Sequence, residues 1–186
     1  PLKKAINSDI SKILERIFDL LSFIYPAQNI LRARDNINSQ SSNQRAIALE
    51  IVDLLLPRQL KDWLILLLEH AEPAKCLDAL KDGFPQKQIG HSERLKEIII
   101  SDHEVISPWT QNCALFAVGK SGNKNLCDTV LNALSSPEWL LRETAIWVLS
   151  SIDPQDFKNR VNTFKKDPNP NVARIASHLS DELTNS

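Results

Sequence analysis

Methionine is absent from this 186-residue chain, glycine occurs only four times, and the longest apolar run, Trp63 to Leu68, covers six residues. Each shortage excludes something. Without an initiating Met, the sequence reads as a processed or internal segment of a longer protein. Six apolar residues fall far short of the ~20 a membrane-spanning helix needs, and the opening PLKKAINSDI lacks the apolar core of a signal peptide. So few glycines leave no GxxxxGK[ST] or GxGxxG loop to cradle phosphates. The nearest stretch, GKSGNKN at Gly119 to Asn125, lacks the earlier glycine and follows no strand, so it reads as a helix-ending turn with Gly119 or Gly122 near the cap.

Cysteine and charge are equally restrictive. Cys76, Cys113 and Cys127 make neither an even set nor a CxxC pair, so neither a disulfide framework nor a zinc ribbon is indicated, and a reducing, cytosolic setting fits best. Lys and Arg total 22 against 23 Asp and Glu, a formal charge of -1. That balance argues against a general nucleic-acid binder, which carries a strongly basic domain or patch. With 42% hydrophobic and 24% charged residues the composition is that of a chain able to bury a core, and the length suggests a single domain over 1–186.

What is present is helical periodicity. Ile, Leu, Val and Ala recur at spacings of three and four, with no persuasive strand. Ser8 is expected to cap a first helix whose stripe is Ile10, Ile13, Leu14, Ile17, Phe18, Leu21 and Ile24, broken at Tyr25-Pro26. A second helix holds Ile30, Leu31, Arg34 and Ile37, and Asn38 to Asn43 form a polar loop. RAIALEIVDLLL then makes a helix, and Pro57 interrupts it and opens RQLKDWLILLLEH. Further helices are expected at 72–83, 88–101, 108–120, 123–135, 137–152, 154–166 and 170–183. Pro73, Pro108, Pro137, Pro154 and Pro170 sit near the starts, where a fixed φ helps and no hydrogen bond is lost. Eleven helices with short connectors suggest stacked helical hairpins.

Ala48, Ala79, Ala114, Ala145 and Ala176 fall in one column at steps of 31, 35, 31 and 31 residues. A small residue at a repeated position lets two helices approach to ~8–10 Å between axes. Three residues earlier stand Arg45, Cys76, Gln111, Arg142 and Ala173; four later stand Val52, Gly83, Val118, Leu149 and Ser180. Register is weakest across 72–101, where FPQKQIGHSER makes a long polar link.

With that column the chain resembles HEAT-type helical repeats. SPEWLLRETAIWVLSSIDP and DPNPNVARIASHL match the family's proline-bearing turn followed by a basic residue, Ala and Leu. RAIALEIVDLLLPRQLKDWLILLLEH is similar, and the likeness runs from Gln40 onward. It implies an all-α, right-handed α-solenoid of about five hairpins whose usual work is binding another protein; such motifs specify packing far better than function. A narrower resemblance, carried by RIFDLLSFIYPAQNILRARDNI, RAIALEIVDLLLP and SPWTQNCALFAVG, is to the soluble HEAT segment that follows an ADP/ATP-carrier-like membrane domain in some cyanobacterial proteins. That likeness implies a linker or docking module at the cytoplasmic face of a membrane.

Chemistry-bearing constellations are scarce. His70, His91, His103 and His178 show no HxxxH or HExxH spacing, and consecutive Asp102, His103 and Glu104 converge poorly on one ion. Cys113 reads as a small core residue without a positioned base. No cofactor and no metal are expected, and the chain reads as non-enzymatic. The candidate partner-binding residues are Trp139 and Trp147, which share one stripe of a helix with Glu143, and the basic helix QDFKNRVNTFKK. There Lys158, Arg160, Lys165 and Lys166 stand against Asp156 and suit an acidic protein, a phosphate group or anionic lipid. Two plainer readings stay open: Phe116, Trp147 and His178 share a column at 31-residue steps and could fill space between repeats, and the cations could be a solvated helix end. The leading function is a protein-interaction or interdomain scaffold whose partner is a protein or a neighbouring domain of the same chain. The alternatives are a regulatory module of a nucleotide transporter or cyclic-nucleotide sensor and a HEAT-type phycobilin lyase subunit.

Overall fold

A computed structural model describes residues 1–69 and 73–184. Among them, every regular element is a helix: α1 (Leu2–Ser22), α2 (Ala27–Ile37), α3 (Ser42–Leu55), α4 (Arg58–Leu68), α5 (Pro73–Leu80), α6 (His91–Ile100), α7 (Pro108–Ser121), a 3₁₀ turn (Lys124–Leu126), α8 (Cys127–Ala133), α9 (Trp139–Ile152), α10 (Pro154–Phe164) and α11 (Pro170–Thr184). None of the described helices is long and apolar enough to cross a membrane.

Proline sets many of the starts. Pro73, Pro108, Pro154 and Pro170 are each the first residue of a helix, and Pro57 stands just before α4 with φ −63°. The Ser107 side chain accepts from the Thr110 amide and that of Asp153 from the Asp156 amide, so α7 and α10 carry both a proline and a side-chain cap. Ser8 differs from its expected role. The helix begins six residues earlier, because Leu2 to Asn7 are competent helix formers and the Ala5 amide already reaches the Pro1 carbonyl at 3.1 Å. The segment expected at 123–135 is divided, since the Asn123 side chain accepts from the Asn125 amide and turns the chain through a 3₁₀ step before α8 begins.

The chain divides into two compact units, Ile10–Gln88 and Pro1–Asp9 with Ile89–Ser186. In the first, Phe18 and Leu21 of α1, Ile30, Ala33 and Ile37 of α2, Ala48 and Val52 of α3, and Leu64 and Leu68 of α4 form one core. In the second, α9 is central, packed against α7, α8, α10 and α11. Its Leu141, Ala145, Ile146, Val148, Leu149 and Ile152 are all buried, which is why its apolar residues surround the helix instead of lining one stripe. The buried Asp9 carboxylate accepts from the Ser107 amide at 3.0 Å, fixing the start of the chain to the loop before α7.

Four of the five column alanines, Ala48, Ala114, Ala145 and Ala176, have no exposed surface, and neither do Val52, Val118 and Leu149 one turn on. Ala79 breaks the pattern. It is exposed, and α5, which covers Pro73–Leu80 where a helix over 72–83 is expected, buries none of its residues. The polar members of the neighbouring column act alike. Arg45 donates to the Ser39 carbonyl at 3.3 Å, Gln111 to that of Ser101 at 2.5 Å and Arg142 to that of Ser136 at 2.8 Å. Each ties its helix to the turn before it, giving a carbonyl at a chain reversal a side-chain donor.

Candidate functional site

The expected site residues lie on α9 and α10 of the second unit, except Lys165, which caps the end of α10 where the helix is expected to run to 166, so their geometry follows from how α9 meets its neighbours. Gly119 of α7 is the enabling residue. A Cβ there would stand 2.6 Å from Trp147 Cζ3 and 3.0 Å from Val148 Cγ2, so only glycine leaves room for the indole. Trp147 uses that room to stack on Phe116, with centroids 5.0 Å apart and planes 16° from parallel. Lys120, one turn beyond Phe116, holds its ammonium 5.5 Å from the Phe116 ring and 5.6 Å from that of Trp147. Gly122, at φ +62°, then ends α7, so Gly122 is the cap of the GKSGNKN stretch and Gly119 a packing residue.

Beside the indole lies an open groove of ≈ 680 Å³ lined by Trp147, Ser150, His178, Leu179, Asp181 and Glu182, among others. The column of Phe116, Trp147 and His178 thus runs across α7, α9 and α11, with Phe116 and His178 exposed at its two ends and Trp147 half-buried between them. Trp147 is half-buried, whereas Trp139, the first residue of α9, is 39% exposed. Eight residues separate the two, about 12 Å along a helix, so they form two separate contacts and not a ring pair.

The basic helix is partly engaged within the fold. Arg160 Nε donates to both oxygens of Asp156 at 2.9 Å, an i,i+4 pair on the surface. Lys165 donates to Ser180 of α11 at 3.1 Å, and Lys158 and Lys166 are exposed. The cations therefore stay near the surface, but the charge of Arg160 is offset by its own helix.

Two further features of the site involve residues outside the expected set. Lys120 is legible in principle, being four residues after Phe116. The Arg142–Asp167 pair spans 25 residues of sequence and is not: Arg142 Nε and Nη2 reach the two Asp167 oxygens at 2.8 and 2.9 Å, while Nη1 donates to the Ser136 and Pro137 carbonyls. The Arg142 hydrogen bonds hold the Asp167 carboxyl below its usual range, against the opposing effect of burial.

Burial pushes the Cys113 thiol up; for Cys127 burial acts first and the carboxylates of Asp153, Asp156 and Asp128 add to it. Both side chains are therefore held as neutral thiols, the less nucleophilic form. No group of three or more His, Cys, Asp or Glu side chains among the described residues is placed to hold a metal ion. His103 is exposed in the loop before α7, and His70 lies outside the described residues. No protein-family model, no curated protein and no solved structure matches the chain, so its site is defined by its own geometry alone.

Proposed function

We propose that the chain is a non-catalytic protein-interaction module, a HEAT-like right-handed α-solenoid of about five hairpins, that captures a partner protein or a neighbouring domain. The observation that supports this most is the Trp147 ridge. An indole already fixed by Phe116 and Lys120, with an open groove beside it, loses little rotamer freedom when a partner covers it. The alanine column buried in both units supports the helical-repeat reading.

An apolar side chain of the partner would enter the groove beside Trp147, with Trp139 as a second anchor. Lys158, Arg160 and Lys165 would draw acidic groups of the partner, affecting encounter rate more than final affinity. Trp147 itself is a poor test residue, because truncating it would also unstack Phe116. Ser150 is the cleaner choice. Affinity capture with wild type, Ser150→Trp and the Lys158→Glu/Lys165→Glu pair would identify a partner whose recovery falls at least ~10-fold when the groove is filled, equivalent to ~1.4 kcal/mol. Equal recovery by all three, each with unchanged helical circular dichroism, would sink the reading.

A further inference from the structure

Helix α1 carries two apolar faces, and the fold buries only one, with Ile17 of the second packed at the edge of the core. Phe18 and Leu21 are buried, with Leu14 packed beside them in the core of the Ile10–Gln88 unit. A quarter-turn away run Ile10, Ile13, Ile17 and Leu20, at spacings of three, four and three, continued by Phe23 and Ile24 on the turn that closes the helix. Ile10 is 48% exposed, Leu20 64%, Phe23 85% and Ile24 74%, while Ile17 is half-buried. Alternating steps of three and four residues give the seam of a coiled coil, whose apolar side chains insert between those of a facing helix. A surface helix that packed only against its own core would carry polar residues there.

We infer that this stripe is a self-association surface, and that its occupant is the same stripe of a second copy of the chain. Three considerations select a second copy. The six side chains present roughly 500–600 Å² of apolar surface, the upper range for a monomer and a large part of the ~800 Å² each partner gives to a standard interface. The stripe positions from Ile10 to Ile24 are all Ile, Leu or Phe, so nothing within the stripe supplies the polar or charged selectivity that would specify a different helix. The requirement for a partner helix with the same regular spacing is met by the stripe itself, and a two-fold pair uses one surface twice. The docked copy also extends an existing core, because Leu14 and Leu21 border the stripe on the buried side.

The mass of the chain in solution, measured by sedimentation velocity over a concentration series, tests this. The expected result is a dimer of the 21.0 kDa chain that is at least ~100-fold weaker in Leu20→Glu/Ile24→Glu and unaffected in the control Leu77→Glu, which alters an exposed leucine of α5. Circular dichroism should be the same for all three, since the altered residues are exposed. Should the paired variant fail to fold, Ile10→Lys/Ile13→Lys takes its place. A chain that stays monomeric to about 100 µM, or a dimer that survives both stripe variants, overturns the inference. A monomer that instead binds vesicles of anionic phospholipid through the stripe also overturns it, assigning the surface to a membrane.

Discussion

Replacing Arg142 with alanine is expected to cost about 3 kcal/mol of stability, because the guanidinium serves two structures at once. It forks onto Asp167 in the turn before α11 and caps the Ser136 and Pro137 carbonyls before α9. Both side chains of the pair are mostly shielded, at 15% and 13% exposure, so water replaces little of what is lost. Exposed pairs such as Arg58–Asp62 would contribute no more than ~1 kcal/mol. Thermal melts should fall by roughly 10 °C for a chain of this length. A double-mutant cycle with Asp167→Ala separates the pair from the carbonyl caps, and strict additivity of the two changes would show that the pair is not coupled.

The same pair gives a pH dependence with a definite sign. Hydrogen bonds from Arg142 hold the Asp167 carboxyl below its unfolded value, so the native state favours the ionised form. Its contribution is complete above the unfolded value of about 3.9 and is lost as the pH falls through the lower folded value. The stability gap between wild type and Asp167→Asn should therefore be constant near neutrality and close in acid. A gap that widened in acid would contradict the assignment.

Gly119→Leu is expected to destabilise by about 3 kcal/mol, the upper range for overpacking. Even Gly119→Ala should be unfavourable, although alanine in a helix interior normally gains ~1 kcal/mol over glycine. The deciding quantity is the 2.6 Å approach of a Cβ to Trp147 Cζ3. That atom belongs to a rigid ring held against Phe116, so the indole cannot yield without losing the stack. Tryptophan fluorescence should report a more solvated indole in Gly119→Ala. A stabilised Gly119→Ala with unchanged emission would mean that Trp147 has room to move, and the preorganised ridge would lose its basis.

Local chemistry carried much of this structure in advance. Prolines at helix starts and apolar periods of three and four act over a few residues, so helix identities and most boundaries were legible, and the alanine column was legible because it repeats at a nearly constant step. The misplacements have local causes too: Ser8 lies inside a helix that starts earlier, and Asn123 diverts the chain into a 3₁₀ turn. Ala79 is different, since its column position resembles that of Ala145 while its helix buries nothing. Burial is a property of what lies opposite, and periodicity reports only which residues share a face.

The site divides along the same line. Trp139, Trp147 and the cations of α10 could be named from the sequence, but their standing could not. Trp147 is fixed by Phe116 and Lys120 only because Gly119 lies opposite it, Lys165 reaches Ser180 on α11, and Arg142 meets a carboxylate on a different turn. The sequence by itself determined an all-helical chain with a repeated small-residue column, because backbone hydrogen bonding and helix packing are short-range and periodic. Only the tertiary structure decided which aromatic is a fixed ridge, which cations are engaged and which face of α1 is left open, because those depend on distances between residues far apart in the chain.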